Sequence, residues 1–141
     1  MARKGDTPEY VRKMQEELFG VLSKAKSRRE LREVEGLAQE VRKKYLQGIN
    51  CADIRDLAIR RRLSRTHYSR RCAEASAVKA YQKRGISLAP GMEIGYVVRD
   101  AAKWEVDAEG DASKFDAVYY GKLLEKAWEE VAFALNNANY W

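Results

Sequence analysis

The 141-residue sequence holds two cysteines, two prolines and one histidine, and each scarcity removes a class of protein. Cys51 and Cys72 have no further Cys or His at metal-ligand spacing, and His67 has no carboxylate or cysteine near it in sequence. A structural zinc takes four ligands, mostly Cys and His, so too few are present to build one. In a reducing compartment both cysteines act as small apolar residues, with a disulfide between them as the alternative. The near-absence of proline, with 45% hydrophobic and 34% charged residues, describes an ordered, helix-leaning globule and not a disordered tail. No apolar run approaches the roughly 18 residues of a membrane span, and the N-terminus lacks a signal-peptide core. The expectation is a cytoplasmic protein without membrane contact. Its length suits one domain over residues 1–141 that buries enough surface to fold without metal or disulfide.

Catalytic signatures are also missing. There is no P-loop pattern, no GxGxxG and no nucleophile elbow. Asp107, Glu109 and Asp111 around Gly110 resemble the start of a calcium loop, but the glutamate at its twelfth position is absent. That stretch is expected to be a solvated loop. A two-metal phosphoryl-transfer site needs paired carboxylates held rigidly, and no strand supplies them. No catalytic residue, no metal ligand and no cofactor are therefore expected in this chain.

What is present in excess is arginine, in one place. Residues 55–71, RDLAIRRRLSRTHYSRR, carry seven arginines (Arg55, Arg60, Arg61, Arg62, Arg65, Arg70, Arg71) against one acid, Asp56. The rest of the chain has 27 − 7 = 20 basic and 21 − 1 = 20 acidic residues, so the whole net charge of +6 lies in this stretch. Arginine's planar fork binds phosphate through two donors and stacks on bases or sugars. Ser64, Thr66, Tyr68 and Ser69 add hydroxyls of the kind that fix register on a nucleic-acid backbone. Seven like charges repel unless an anion neutralises them. Phosphate-backbone binding is one outcome, and a solvated or carboxylate-paired face is the other.

Helical periodicity is clear at both ends. Asp6 or Thr7 as N-cap and Pro8 in the first turn start a helix with Val11, Met14, Leu18, Leu22 and Ala25 on one face, ending near Lys26. Ser27 and Glu30 form a capping box for a second helix. Its apolar face is Leu31, Val34, Ala38, Val41 and Tyr45, and Gly48 stops it. The short connection makes these an antiparallel hairpin. Alternation of Leu57, Ile59, Arg61 and Leu63 suggests a short strand, and Met92, Ile94, Tyr96 and Val98 a clearer one. Between them a helix is expected over about 69–84, with Ala75, Val78 and Tyr81 inward and Gly85 as its stop. Pro90-Gly91 reads as a turn, and 100–114 as a loop. A last long helix begins near Asp116, with Tyr120, Leu123, Leu124, Ala127, Trp128, Val131 and Leu135 on one face. Tyr119 and Tyr120 read as packing residues. The fold class is α+β, mainly helical, with a sheet of two or three strands.

Several of these segments together resemble the C-terminal part of archaeal and eukaryotic family-B DNA polymerases. GISLAPGMEIGYVV (85–98) and FDAVYYGKLLEKAWEEVAFAL (115–135) are similar to that family's Pro-Gly turn, Tyr-Val strand and Asp-x-x-Tyr-Tyr helix. RKGDTPEYVRKMQ (3–15) resembles the junction of palm and thumb, and DLAIRRRLSRTHYSRR (56–71) the segment carrying the thumb's duplex contacts. The resemblance is collinear over nearly the whole chain. It implies a thumb domain that grips primer-template duplex, either as the small subunit of a split polymerase or as an excised domain. Carried over by position, the phosphate contacts are Arg3, Lys4, Ser64, Arg65, Tyr68 and Lys79. Arg60, Arg62, Arg70 and Arg71 join them from the arginine-rich stretch. Glu74 departs from the pattern, standing where many relatives place a DNA-facing histidine. The family's catalytic Asp-Thr-Asp strand and exonuclease carboxylates are not in this sequence, and no sliding-clamp-binding tail follows Trp141. A large catalytic chain would supply the nucleotide site and the acids, together with Mg2+. A stand-alone nucleic-acid binder and a helical protein-protein adaptor are the rival expectations.

Overall fold

The computed structural model describes residues 7–136, with side chains through Phe133. The described residues form four helices and a three-stranded antiparallel sheet. The helices are α1 (Glu9–Leu22), α2 (Arg28–Gln47), α3 (Ala73–Lys83) and α4 (Ala117–Asn136). The strands are β1 (Ile59–Arg62), β2 (Glu93–Asp100) and β3 (Glu105–Ala108), in the order β1-β2-β3. The class is α+β and mainly helical, with the hairpin first and a long helix last. No helix among the described residues is long and apolar enough to cross a membrane.

Val11, Met14, Leu18 and Leu22 of α1 are buried, as the spacing requires. Pro8 itself takes the cap position, without a side-chain bond, one residue beyond the expected Thr7; Asp6 lies outside the described residues. The helix stops at Leu22 and not near Lys26. Ser27 must be extended (φ −150°) for its hydroxyl to accept the Glu30 N–H at 3.1 Å, so the chain has to leave the helix before it. Glu30 completes the cap one residue early, accepting the N–H of Lys26 at 3.0 Å. Across the hairpin Glu17 accepts from Lys44 and from the Tyr45 hydroxyl, each at 2.6 Å. Gly48 ends α2 with a right-handed backbone, φ −85°. Its lack of a side chain serves a close approach instead, because a β-carbon would stand 3.0 Å from the Lys44 carbonyl and 3.2 Å from the Tyr10 hydroxyl.

Strand β2 is the centre of the molecule. Ile94 through Val98 are all buried, so the alternation in the sequence understated a strand covered on both faces. Its neighbours are shorter and offset. β1 pairs with Glu93–Tyr96 and β3 with Tyr96–Asp100, leaving a bare stretch of β2 on each edge. Tyrosine hydroxyls fill both gaps. Tyr81 of α3 donates to the Gly95 carbonyl at 2.6 Å and accepts its N–H at 3.3 Å. Tyr120 of α4 accepts the Val98 N–H at 3.0 Å, while the Val98 carbonyl accepts from the Asp116 N–H at 2.9 Å.

Three expectations are corrected. Helix α3 begins at Ala73 and not near residue 69, because Cys72 caps it, its sulfur accepting the Ala75 N–H at 3.4 Å. Its buried face is Ala77 and Val78, with Ala75 and Tyr81 only half-buried. The stretch 100–114 is not one loop. It contains β3, whose Val106 and Ala108 are buried while Glu105 and Asp107 are held by Arg99 at 3.1 Å. Gly85 and Gly91 do stop a helix and make a turn, with φ +82° and +94°. On α4, Tyr120, Leu124, Ala127 and Val131 are buried and Leu123 and Trp128 half-buried; the Leu135 side chain lies outside the described set.

Asp116 anchors α4, accepting the N–H groups of Ala101 at 2.9 Å and Tyr119 at 3.0 Å. These bonds, the one from Ala101 first, hold its carboxyl below the usual aspartate range. Its contribution is therefore fully present above the unfolded pKa, about 3.9, and is lost as pH falls below that value. Asp116→Asn should flatten the acid limb of a stability-against-pH curve measured by denaturant melts. Tyr120→Phe, which leaves the Val98 N–H buried without a partner, should cost about 1–3 kcal/mol in the same assay at neutral pH.

Candidate nucleic-acid interface

The arginine-rich stretch leaves the sheet at Leu63, which is 1% exposed and exchanges backbone bonds with Gly91 (2.7 Å) and Met92 (2.8 Å). Residues 64–72 then run without regular structure to the start of α3. Glu74 ties this segment down. It accepts from Arg61 at 2.6 Å and from the Tyr68 hydroxyl at 3.1 Å. Burial and then the bond to Glu74 push the Tyr68 hydroxyl pKa up. Arg65 lies over the Tyr68 ring, 4.9 Å from its centroid.

The seven arginines do not share one fate. Arg55 pairs with Asp53 (2.8 Å), Arg60 with Glu109 (2.7 Å) and Arg61 with Glu74 (2.6 Å). For these the carboxylate-paired outcome holds. Glu109 reaches Arg60 by crossing Gly95, where a β-carbon would collide with its carboxylate. Arg62 donates to the Gly91 carbonyl at 2.8 Å. Arg70 and Arg71 are exposed and have no carboxylate partner among the described residues.

A half-open groove of about 970 Å³ runs between segment 66–71, α3 and the β3 side of the sheet. Arg70, Arg71, Lys79 and Lys83 line it, and none of the four is paired to a carboxylate among the described residues. The acids on its wall are already engaged: Glu105 and Asp107 by Arg99, and Asp111 by Arg84 at 3.3 Å. The groove therefore presents uncompensated positive charge. An anion entering it would meet donors from two elements at once.

Of the residues expected from the sequence, the structure gathers Tyr68, Arg70, Arg71 and Lys79 in this groove. Ser64 and Arg65 are exposed just before the segment that lines it, Arg62 is exposed on β1 at the other edge of the sheet, and none of the three lines it. Arg60 lies apart, in a smaller cleft of about 390 Å³ that also holds Glu9, Asp53, Asp56 and Glu109. Arg3 and Lys4 lie outside the described residues. Sequence reasoning missed Lys83, although it stands one helical turn after Lys79 and so on the same face. It also missed Trp104, which lines the groove and has no sequence signal.

No protein-family model matches this sequence, and no curated protein matches it. Among solved structures the fold is similar to the family-B DNA polymerase of the hyperthermophilic archaeon Pyrobaculum calidifontis. That match has a TM-score of 0.66 and 26% sequence identity over 96% of this chain. It covers 18% of the polymerase chain. The fold is thus polymerase-related, and this chain corresponds to a small part of that polymerase.

If Glu74 holds the segment as its bonds indicate, Glu74→Ala should speed amide hydrogen exchange across 66–72 several-fold. Global stability should fall by only about 0.5–1 kcal/mol, because the pair is half-exposed. Unchanged exchange in 66–72 would show that other contacts order the segment.

Proposed function

We propose that this chain is a DNA-binding thumb of a family-B DNA polymerase, acting as a small subunit or domain beside a large catalytic chain. The observation that carries the reading is the groove of unpaired cations on a fold similar to part of an archaeal family-B polymerase. Phosphates of primer-template duplex would meet Arg70, Arg71, Lys79 and Lys83, with Arg65, Ser64 and Tyr68 at the groove's approach. Arg60, already paired with Glu109, contributes little. Arg3 and Lys4 remain proposed contacts from the sequence. The large chain supplies the nucleotide site, the acids and Mg2+, so the thumb's part is residence time. Extra phosphate contacts slow dissociation of the product duplex, and affinity changes of this kind act mainly through the off-rate. A stand-alone nucleic-acid binder would use the same groove without a polymerase partner.

Three measurements test this. Four to five phosphate contacts predict a slope of log affinity against log salt of roughly −3.5 to −4.5 on duplex DNA; a slope near zero would falsify phosphate gripping. Arg71→Ala should weaken duplex binding on every sequence alike, whereas Arg60→Ala should leave it nearly unchanged. Equal losses from both would mean diffuse attraction. In primer extension with a trap for released enzyme, adding this chain to the thumbless large chain should lengthen products at low salt. Unchanged length with duplex binding intact would favour the stand-alone binder.

A further inference from the structure

Trp104 is the only non-glycine residue with positive φ (+49°) among the described residues. It closes the turn from β2 to β3, its N–H bonded to the Ala101 carbonyl at 3.3 Å. A left-handed backbone of this kind suits glycine or asparagine and strains a bulky side chain. Trp104 is half-buried, its indole meets Tyr119 edge-to-face with centroids 6.1 Å apart, and the residue lines the cationic groove. The other aromatic in the groove, Tyr68, has Arg65 over its ring and its hydroxyl on Glu74. Trp104 thus brings an aromatic surface to a groove whose free cations are Arg70, Arg71, Lys79 and Lys83.

We infer that the groove also takes a single DNA strand, in alternation with duplex, with a base stacked on Trp104 and its backbone phosphates on the same Arg70, Arg71, Lys79 and Lys83. An aromatic platform beside a positively charged track is the arrangement that binds unpaired strands without reading sequence. A paired and stacked base cannot present its face to Trp104, so the contact separates single strand from duplex. The volume of about 970 Å³ is at the upper end of ligand clefts, which span roughly 300–1,000 Å³. The inference rests on the nucleic-acid reading of the groove and adds to it a strand-specific subsite.

The test uses the whole chain and four probes: a short oligothymidylate, an abasic oligodeoxyribose phosphate of equal length, thymidine monophosphate and a blunt duplex. Equal charge on the first two isolates stacking. The oligothymidylate should bind about tenfold tighter than the abasic strand, the usual size of one base-aromatic contact. Trp104→Gly, which suits the left-handed backbone, should erase that difference and leave duplex affinity unchanged. Trp104→Phe should keep most of it. A difference that is absent in the native chain, or that survives in Trp104→Gly, overturns the stacking subsite; duplex binding with its salt slope intact would then leave the proposed grip standing. Monophosphate binding as tight as the oligomer would overturn the strand in favour of a free nucleotide. Failure of every probe, duplex included, overturns both.

Discussion

Strand β2 is buried on both faces, and every N–H and C=O along it has to be satisfied inside the protein. Its two sheet partners are each four residues long and offset toward opposite ends, so the ladder alone cannot do this. The uncovered edges are completed by hydroxyls from Tyr81 and Tyr120. Each tyrosine therefore joins a helix to the central strand at a fixed register. α3 is seated at Gly95 and α4 at Val98, and α3 in turn forms one wall of the groove. The arginine-rich segment is held in turn by α3, through Glu74.

Much of this was legible in the amino acids. The 3.6-residue spacing of Val11, Met14, Leu18 and Leu22, and of Tyr120, Leu124, Ala127 and Val131, located two helices and their inner faces. The cap at Ser27 located a third, and Gly85 ended the fourth. β3 was not legible, because its outward residues Glu105 and Asp107 give a four-residue strand the polarity of a loop. Their partner Arg99 lies across the hairpin on β2. The start of α3 was misplaced because cysteine is a weak cap that gives little signal in the sequence.

The candidate site was legible as a density of charge but not as a shape. Nothing local to Arg60 or Arg61 shows that Glu109 and Glu74 will neutralise them, since those acids come 49 and 13 residues later in the chain. Only the fold separates compensated arginines from free ones. It also recruits Lys83 from α3, whose charge the sequence counted among a balanced remainder. Trp104 is an ordinary tryptophan until its backbone angle is seen.

The sorting of cations into paired and free sets the local field of the groove. On the helical hairpin only some positive groups are matched by carboxylates: Lys13 by Asp56, Lys44 by Glu17 and Arg42 by Glu125. In the groove the wall's acids are taken up by Arg84 and Arg99, so Arg70, Arg71, Lys79 and Lys83 face an entering anion together. In the field of a polyanion such a cluster of like charges is attracted before any contact is made. Internal ion pairing leaves the net charge unchanged but offsets the paired cations locally, so the unpaired ones weigh more on encounter.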